Sequence, residues 1–298
     1  MIVAAALCAS PPLLHPALTG RAVVLPELRA ASAEAVARLL RGEPEVIVVV
    51  GPAHVTGEWG PDDWFDPAPF APGVASGRAT PDGAAPGSAG PEGAARGGTG
   101  TEGAAPGLLP LSLGLGVMLL DQGGYRGPRR LIAVGEAEPT GMCAALGAEL
   151  ATGATRTALL VMGDGSARRS LKAPGHLDPR AEPFDAHVER AVRTGRLGEL
   201  LDLDEALARD LMATGRPAWQ VLAGAMPGGT GAGRRDGAGA DSAGPDGGSG
   251  ADNDGGVDSD SGVDTAGMDD ALATDVLYRD DPFGVAYLVA SMHPRPHE

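Results

Sequence analysis

Two short runs of unbroken apolar residues, Ile2 to Leu7 and Val46-Ile-Val-Val-Val50, limit the fold more than any other feature. A strand with one wet face alternates apolar and polar side chains. These runs do not alternate, so both of their faces must be covered, as in a sheet layered between helices. Between them Leu25, Leu28, Val36, Leu39 and Leu40 recur at near-helical spacing, and Gly42 with Pro44 closes that helix. Leu131-Ile-Ala-Val134 and Ala158-Leu-Leu-Val-Met162 read as two more buried strands, with a helix over 140–151 between them. A helix is expected over 108–120, despite Gly114 and Gly116, and others over 184–194, 203–213 and 217–225. Val276-Leu-Tyr278 and Val285-Ala-Tyr-Leu-Val289 read as a closing hairpin pair. Alternation of this kind predicts an α/β fold: a single layered domain with a largely parallel or mixed central sheet flanked by helices.

Two stretches cannot belong to that core. Residues 72–107 repeat Pro-Asp-Gly-Ala-Ala and Thr-Glu-Gly-Ala-Ala units without a Leu, Ile or aromatic residue. Residues 228–270 set 10 Asp against Arg234 and Arg235, with Met268 their one large apolar side chain. Neither can bury enough apolar surface to offset chain entropy, so both are expected as flexible loops within a domain of residues 1–291, followed by a tail over 292–298. The net charge of −16 excludes a nucleic-acid partner that works by phosphate neutralisation. No apolar run reaches the roughly 18 residues of a membrane span. Cys8 and Cys143 are too few for a disulfide framework. The apolar start up to Cys8 lacks the basic residues and the small residue of a lipoprotein signal, so a cytoplasmic protein is expected. Oligomerisation is left open.

In layered sheets of this kind, ligands bind beyond the carboxyl ends of the strands. Three exits carry polar residues: Cys8-Ala-Ser10 onward to His15, Gly51-Pro-Ala-His54, and Gly163-Asp-Gly-Ser166. If they converge, Ser10, Asp164 and Ser166 line one crevice and His54 stands beside it. Taken singly, each is equally a tight turn that needs its Gly and Pro. The remaining imidazoles, His176, His187, His293 and His297, lack the spacing of a zinc site. Cys8 reads as a small core residue rather than a thiol ligand or nucleophile. Gly163-Asp-Gly-Ser166 is not followed by the Gly-Lys-Ser/Thr of a phosphate loop. The run from Asp252 to Asp264 has Val263 where a calcium loop needs a bidentate Glu.

Read in order, the first strand with its Pro-Pro-Leu-Leu turn, Ile-Val-Val-Val-Gly-Pro-Ala-His54, Leu-Leu-Val-Met-Gly-Asp-Gly-Ser166 and Gly284-Val-Ala-Tyr-Leu-Val-Ala290 resemble a known family. It is the domain family of the class III extradiol ring-cleavage dioxygenases, in a branch typical of high-GC bacteria. The segments from Leu171 to Ala181 and from Gly215 to Ala225 resemble that branch as well, and the likeness spans most of 1–71, 108–227 and 275–291. The resemblance implies non-haem Fe(II), held by two histidines and a carboxylate, and ring cleavage of a catecholic substrate assisted by a further histidine. Its ligand histidine after the second strand matches His54. The position after the first strand falls near Ser10, with His15 five residues beyond it. The assisting histidine falls on Gly165-Ser166-Ala167. The carboxylate has only Asp275, Asp280 and Asp281 in its neighbourhood. One matched position in four leads to two expectations: an iron-dependent ring-cleaving dioxygenase, or a relative retaining altered chemistry; and a catalytically silent relative that binds a small molecule, such as a small aromatic one, or a protein partner in the same crevice.

Overall fold

The computed structural model describes residues 1–20, 22–60, 62–70, 107–226 and 272–295. Apart from Gly107, the expected loops 72–107 and 228–270 lie outside the described residues, as do the Asp252–Asp264 run and His297. Gly107 is a correction to the first loop's boundary: its N–H is tied to the Asp63 carboxylate, next to a backbone bridge between Trp64 and Leu108.

Four strands form the parallel centre of the sheet: β1 (Ile2–Cys8), β2 (Val46–Ala53), β4 (Arg129–Gly135) and β5 (Thr157–Met162). The antiparallel strand β3 (Gly57–Trp59) adds to β4 at one edge, and the hairpin of β6 (Leu272–Asp280) and β7 (Tyr287–Pro294) adds to β1 at the other. The order is β3-β4-β2-β5-β1-β7-β6, so the sheet is mixed. The helices are α1 (Pro16–Thr19), α2 (Pro26–Arg41), α3 (Leu111–Gln122), α4 (Thr140–Ala151), α5 (Ala181–Arg193), α6 (Glu205–Asp210) and α7 (Arg216–Ala225).

The unbroken apolar runs have a simple cause. Along β1, β2 and β5, alternate residues feed two separate cores. Ala4, Ala6, Ile47, Val49, Ala158 and Leu160 pack with Leu28, Val36 and Leu39 of α2 and with Leu113 and Leu120 of α3. Their neighbours Ala5, Leu7, Val48, Val50, Leu159 and Val161 pack with Phe184 and Val188 of α5 and Trp219 and Leu222 of α7. Each large side chain so buried contributes about 1.5–3 kcal/mol relative to exposure.

Four local readings need correction. The short antiparallel β3 is missing from the sequence reading, because three residues carry no readable period. The helix expected from Leu108 starts at Leu111, since Pro110 disfavours the helical conformation of Leu109 before it. The helix expected over 203–213 is shorter, α6 alone, which Asp204 caps through the Leu207 N–H, and it is preceded by a 3₁₀ turn, Leu197–Asp202, that the sequence reading lacks. The tail placed at 292–298 begins too early: β7 runs through Pro294, pairing His293 with Ala273 and Pro294 with Leu272. Among the described residues, no helix is long and apolar enough to cross a membrane.

Connectivity defines a crevice. From β1 the chain turns toward α2 on one face of the sheet, and from the adjacent β5 it turns toward α5 on the other. Loops that part between neighbouring parallel strands leave a gap at their carboxyl ends, which is where such sheets hold ligands.

Candidate functional site

The gap between the exits of β1 and β5 is closed by a direct contact. The Ser10 N–H donates to Asp164 Oδ1 at 2.7 Å, and one step back the Gly163 N–H donates to the Cys8 carbonyl at 3.0 Å. Burial pushes the Asp164 carboxyl up to about 7, against the opposing pull of the Ser10 N–H. A carboxyl poised there can take up and release a proton at neutral pH. Tyr287 of β7 stands close enough that the Asp164 charge, second to burial, pushes its phenol above the ordinary tyrosine range.

Ser166 is fully buried, so it supports the crevice from behind rather than lining it. Its N–H donates to Asp185 Oδ1 at 2.9 Å, and its hydroxyl donates to Asp185 Oδ2. Burial raises the Asp185 carboxyl, while the two Ser166 bonds and the Arg169 charge restrain it. Arg169 lies between Asp185, at 3.8 Å, and Asp281, at 2.9 Å. Behind this cluster is a cavity of about 210 Å³, walled by Gly165 at the β5 exit, by α5, by the β6–β7 hairpin and by Trp219 of α7. A Cβ on Gly165 would come within 2.7 Å of Asp185 and 2.8 Å of Ala286, so only glycine lets the strand exit pass there.

His54 is placed differently. It follows β2 at the same carboxyl end of the parallel strands, is exposed, and forms no hydrogen bond or ion pair with Ser10, Asp164 or Ser166. His15 caps α1 by accepting the Ala17 N–H on Nδ1 and meets Phe65 edge to face at 5.3 Å. Burial holds its pKa below the usual histidine value. The three candidate carboxylates are engaged elsewhere. Asp275 pairs with Arg38, Asp281 with Arg169, and Asp280 accepts the Asp281 N–H at 2.8 Å. No group of three His, Cys, Asp or Glu side chains able to hold a metal ion occurs among the described residues.

These residues do not fit Fe(II). Iron of this type needs two imidazoles and a carboxylate facing one point, with partners that orient the rings. Here the one matched imidazole belongs to no such group among the described residues, and the position of the assisting histidine carries a serine whose hydroxyl is spent on Asp185. His176 and His187 bond to the backbone oxygens of Leu171 and Glu199, and His293 is exposed on β7. Cys8 and Cys143 are free and buried, and burial pushes their thiols up to about 12 and about 11, so they behave as apolar core residues. Asp185, Arg169, Trp219 and Tyr287 are not singled out by the sequence, because no spacing links them before the chain folds.

No family model matches the chain, and no curated protein matches it. Among solved structures it is similar to the uncharacterized protein JW3007 from Escherichia coli K12, at 16% identity and a TM-score of 0.51, over 98% of this chain and 99% of that one. At that identity the likeness is one of fold.

Proposed function

We propose that this chain uses an extradiol-dioxygenase-like scaffold to bind a small molecule at the β1–β5 switch point, without iron and without ring cleavage. The observation that carries the reading is the Ser10–Asp164 bond, which joins two strand exits around a carboxyl of near-neutral proton affinity. Gly165, next in the chain, forms part of the wall of the adjoining cavity. At about 210 Å³ that cavity is smaller than the roughly 300–1,000 Å³ of drug-sized sites, so its ligand is a small one. Asp164 in its neutral form can donate a hydrogen bond, and in its charged form it accepts one. Two free, buried thiols fit the cytoplasmic location expected from the sequence.

Anaerobic iron titration followed by oxygen-electrode assays with catechol and protocatechuate tests the reading. The expected outcome is no stoichiometric iron and no oxygen uptake. In parallel, small fragments should shift the indole N–H resonance of Trp219, identified by its loss in Trp219→Phe. Stoichiometric iron that disappears in His54→Ala, together with ring cleavage by the parent chain, would overturn it.

A further inference from the structure

Three side chains at the β1–β5 switch point carry hydrogen-bonding capacity that the chain itself does not use. β1 lies between β5 and β7, with Cys8 opposite Met162 and Leu7 opposite Ala290. Carried past the end of β1, that register sets Ser10 between Asp164 on one side and Tyr287 on the other. Two bonds hold the row together. The Ser10 N–H donates to Asp164 Oδ1 at 2.7 Å, and the Gly165 N–H donates to the Ala286 carbonyl at 2.8 Å, which ties the neighbours of Asp164 and Tyr287 to each other. The Tyr287 phenol feels the Asp164 charge across this gap.

None of the three is satisfied from within. Ser10 and Tyr287 are each 5% exposed, yet neither hydroxyl has a hydrogen-bond partner among the described residues. Neither is sealed off: the side-chain atoms that are both sealed and unpartnered among the described residues are Arg168 Nε and Trp219 Nε1. Both hydroxyls therefore open onto the crevice. Asp164 Oδ2 accepts no hydrogen bond among the described residues, and no Arg, Lys or His there pairs with the carboxyl. Buried hydroxyls are as a rule hydrogen-bonded and buried carboxylates paired, so a crevice that leaves all three oxygens open suits a group that arrives from outside. Water can satisfy the two hydroxyls, but it cannot supply the cation that the carboxylate lacks.

We propose that Ser10, Asp164 and Tyr287 hold the head group of a small primary amine, bound as its ammonium ion. A primary ammonium has three N–H donors and no acceptor, and the crevice offers three oxygens: Ser10 Oγ, Asp164 Oδ2 and Tyr287 Oη. Its charge pairs a buried carboxylate that has no cation of its own. An anion would meet that carboxylate as a like charge, and a neutral alcohol would leave it unpaired. The proposal rests on the reading of the β1–β5 switch point as a small-molecule site, and it names the head group that the site takes.

The test is an NMR titration of the full chain with ring-labelled tyrosine, at a pH above about 7 where Asp164 is ionised. The chain has three tyrosines, and the Tyr287 ring signal is the one lost in Tyr287→Phe. The probes are n-butylamine, butyltrimethylammonium, 1-butanol and butyrate. Butylamine should bind about tenfold tighter than butanol or butyrate, and about tenfold tighter than butyltrimethylammonium, which has the charge and no N–H. Asp164→Asn should weaken butylamine about tenfold and leave butanol unchanged, and Ser10→Ala, which removes a single hydrogen bond, should weaken it about threefold. Equal binding of butyltrimethylammonium, or an equal response to sodium chloride, would mark a site for charge alone and overturns the proposal. Butylamine binding undiminished by Asp164→Asn overturns it too. If butanol or butyrate moves the Tyr287 signal and butylamine does not, the ammonium assignment fails while small-molecule binding at the switch point stands. If no probe moves that signal, both fail.

Discussion

Asp164→Asn tests the site's electrostatics directly. Asparagine keeps an acceptor for the Ser10 N–H and removes the ionisation. In the unfolded chain the carboxyl ionises near 3.8, and in the folded protein at about 7. Well below pH 3.8 both states hold the proton, and the group does not bias folding. Between the two values the folded state keeps a proton that the unfolded state has released, so this group makes stability fall as pH rises. Above about 7 the whole cost of burying the charge is present. At 1.36 kcal/mol per pH unit, the rise amounts to about 4 kcal/mol, an upper bound because part of the side chain still reaches water. Asp185 is raised in the same direction, but it is common to both chains and cancels in the comparison. The assay is urea denaturation of parent and Asp164→Asn at intervals from pH 4 to 8. The two should agree near pH 4, with the variant gaining up to about 4 kcal/mol by pH 8. Parallel profiles over that range would refute the claim that Asp164 is held in its neutral form.

Ser166→Ala removes the hydroxyl bond to a largely buried Asp185 and should cost about 1–3 kcal/mol in denaturant unfolding. Gly147→Ala should destabilise by about 1–3 kcal/mol, although alanine is the better helix former by about 1 kcal/mol, because its Cβ would lie 2.1 Å from the Val221 carbonyl of α7. Arg216→Met should cost about 3 kcal/mol or more: it strands Gln220 and the Glu136 and Glu138 carbonyls, which now take the buried guanidinium at 2.8–2.9 Å. The last two are read from urea midpoints at unchanged slope.

The fold is legible where burial dictates composition. Val46 to Val50 must be covered on both faces, and α2 and α3 cover one while α7 and α5 cover the other. The hairpin at the end of the chain is readable because Val285 to Val289 is apolar enough to lie beside β1, although its ends fall several residues from where the pattern puts them. What escapes is decided by contacts distant in sequence. β3 exists because Glu58 and Trp59 pair with Ile132 and Leu131, a partnership that three residues cannot announce.

The site divides along the same line. That Ser10 and Asp164 meet follows from topology, since polar residues at the exits of adjacent parallel strands share a gap. His54 shares the edge and none of the contacts, because β2 adjoins β5 on the side away from β1. Ser166 shows why a motif alone misleads. Its turn is the one the resemblance marks for an assisting histidine, yet in this chain the hydroxyl points to Asp185, in the first turns of a helix that begins fifteen residues later. An imidazole at that position would have to displace a buried serine–carboxylate pair and the Arg169 network behind it. Ser166 is therefore coupled to Asp185, Arg169 and Asp281. Ser166→His would leave Asp185 buried without its hydroxyl donor, and would not by itself make a proton-transfer residue.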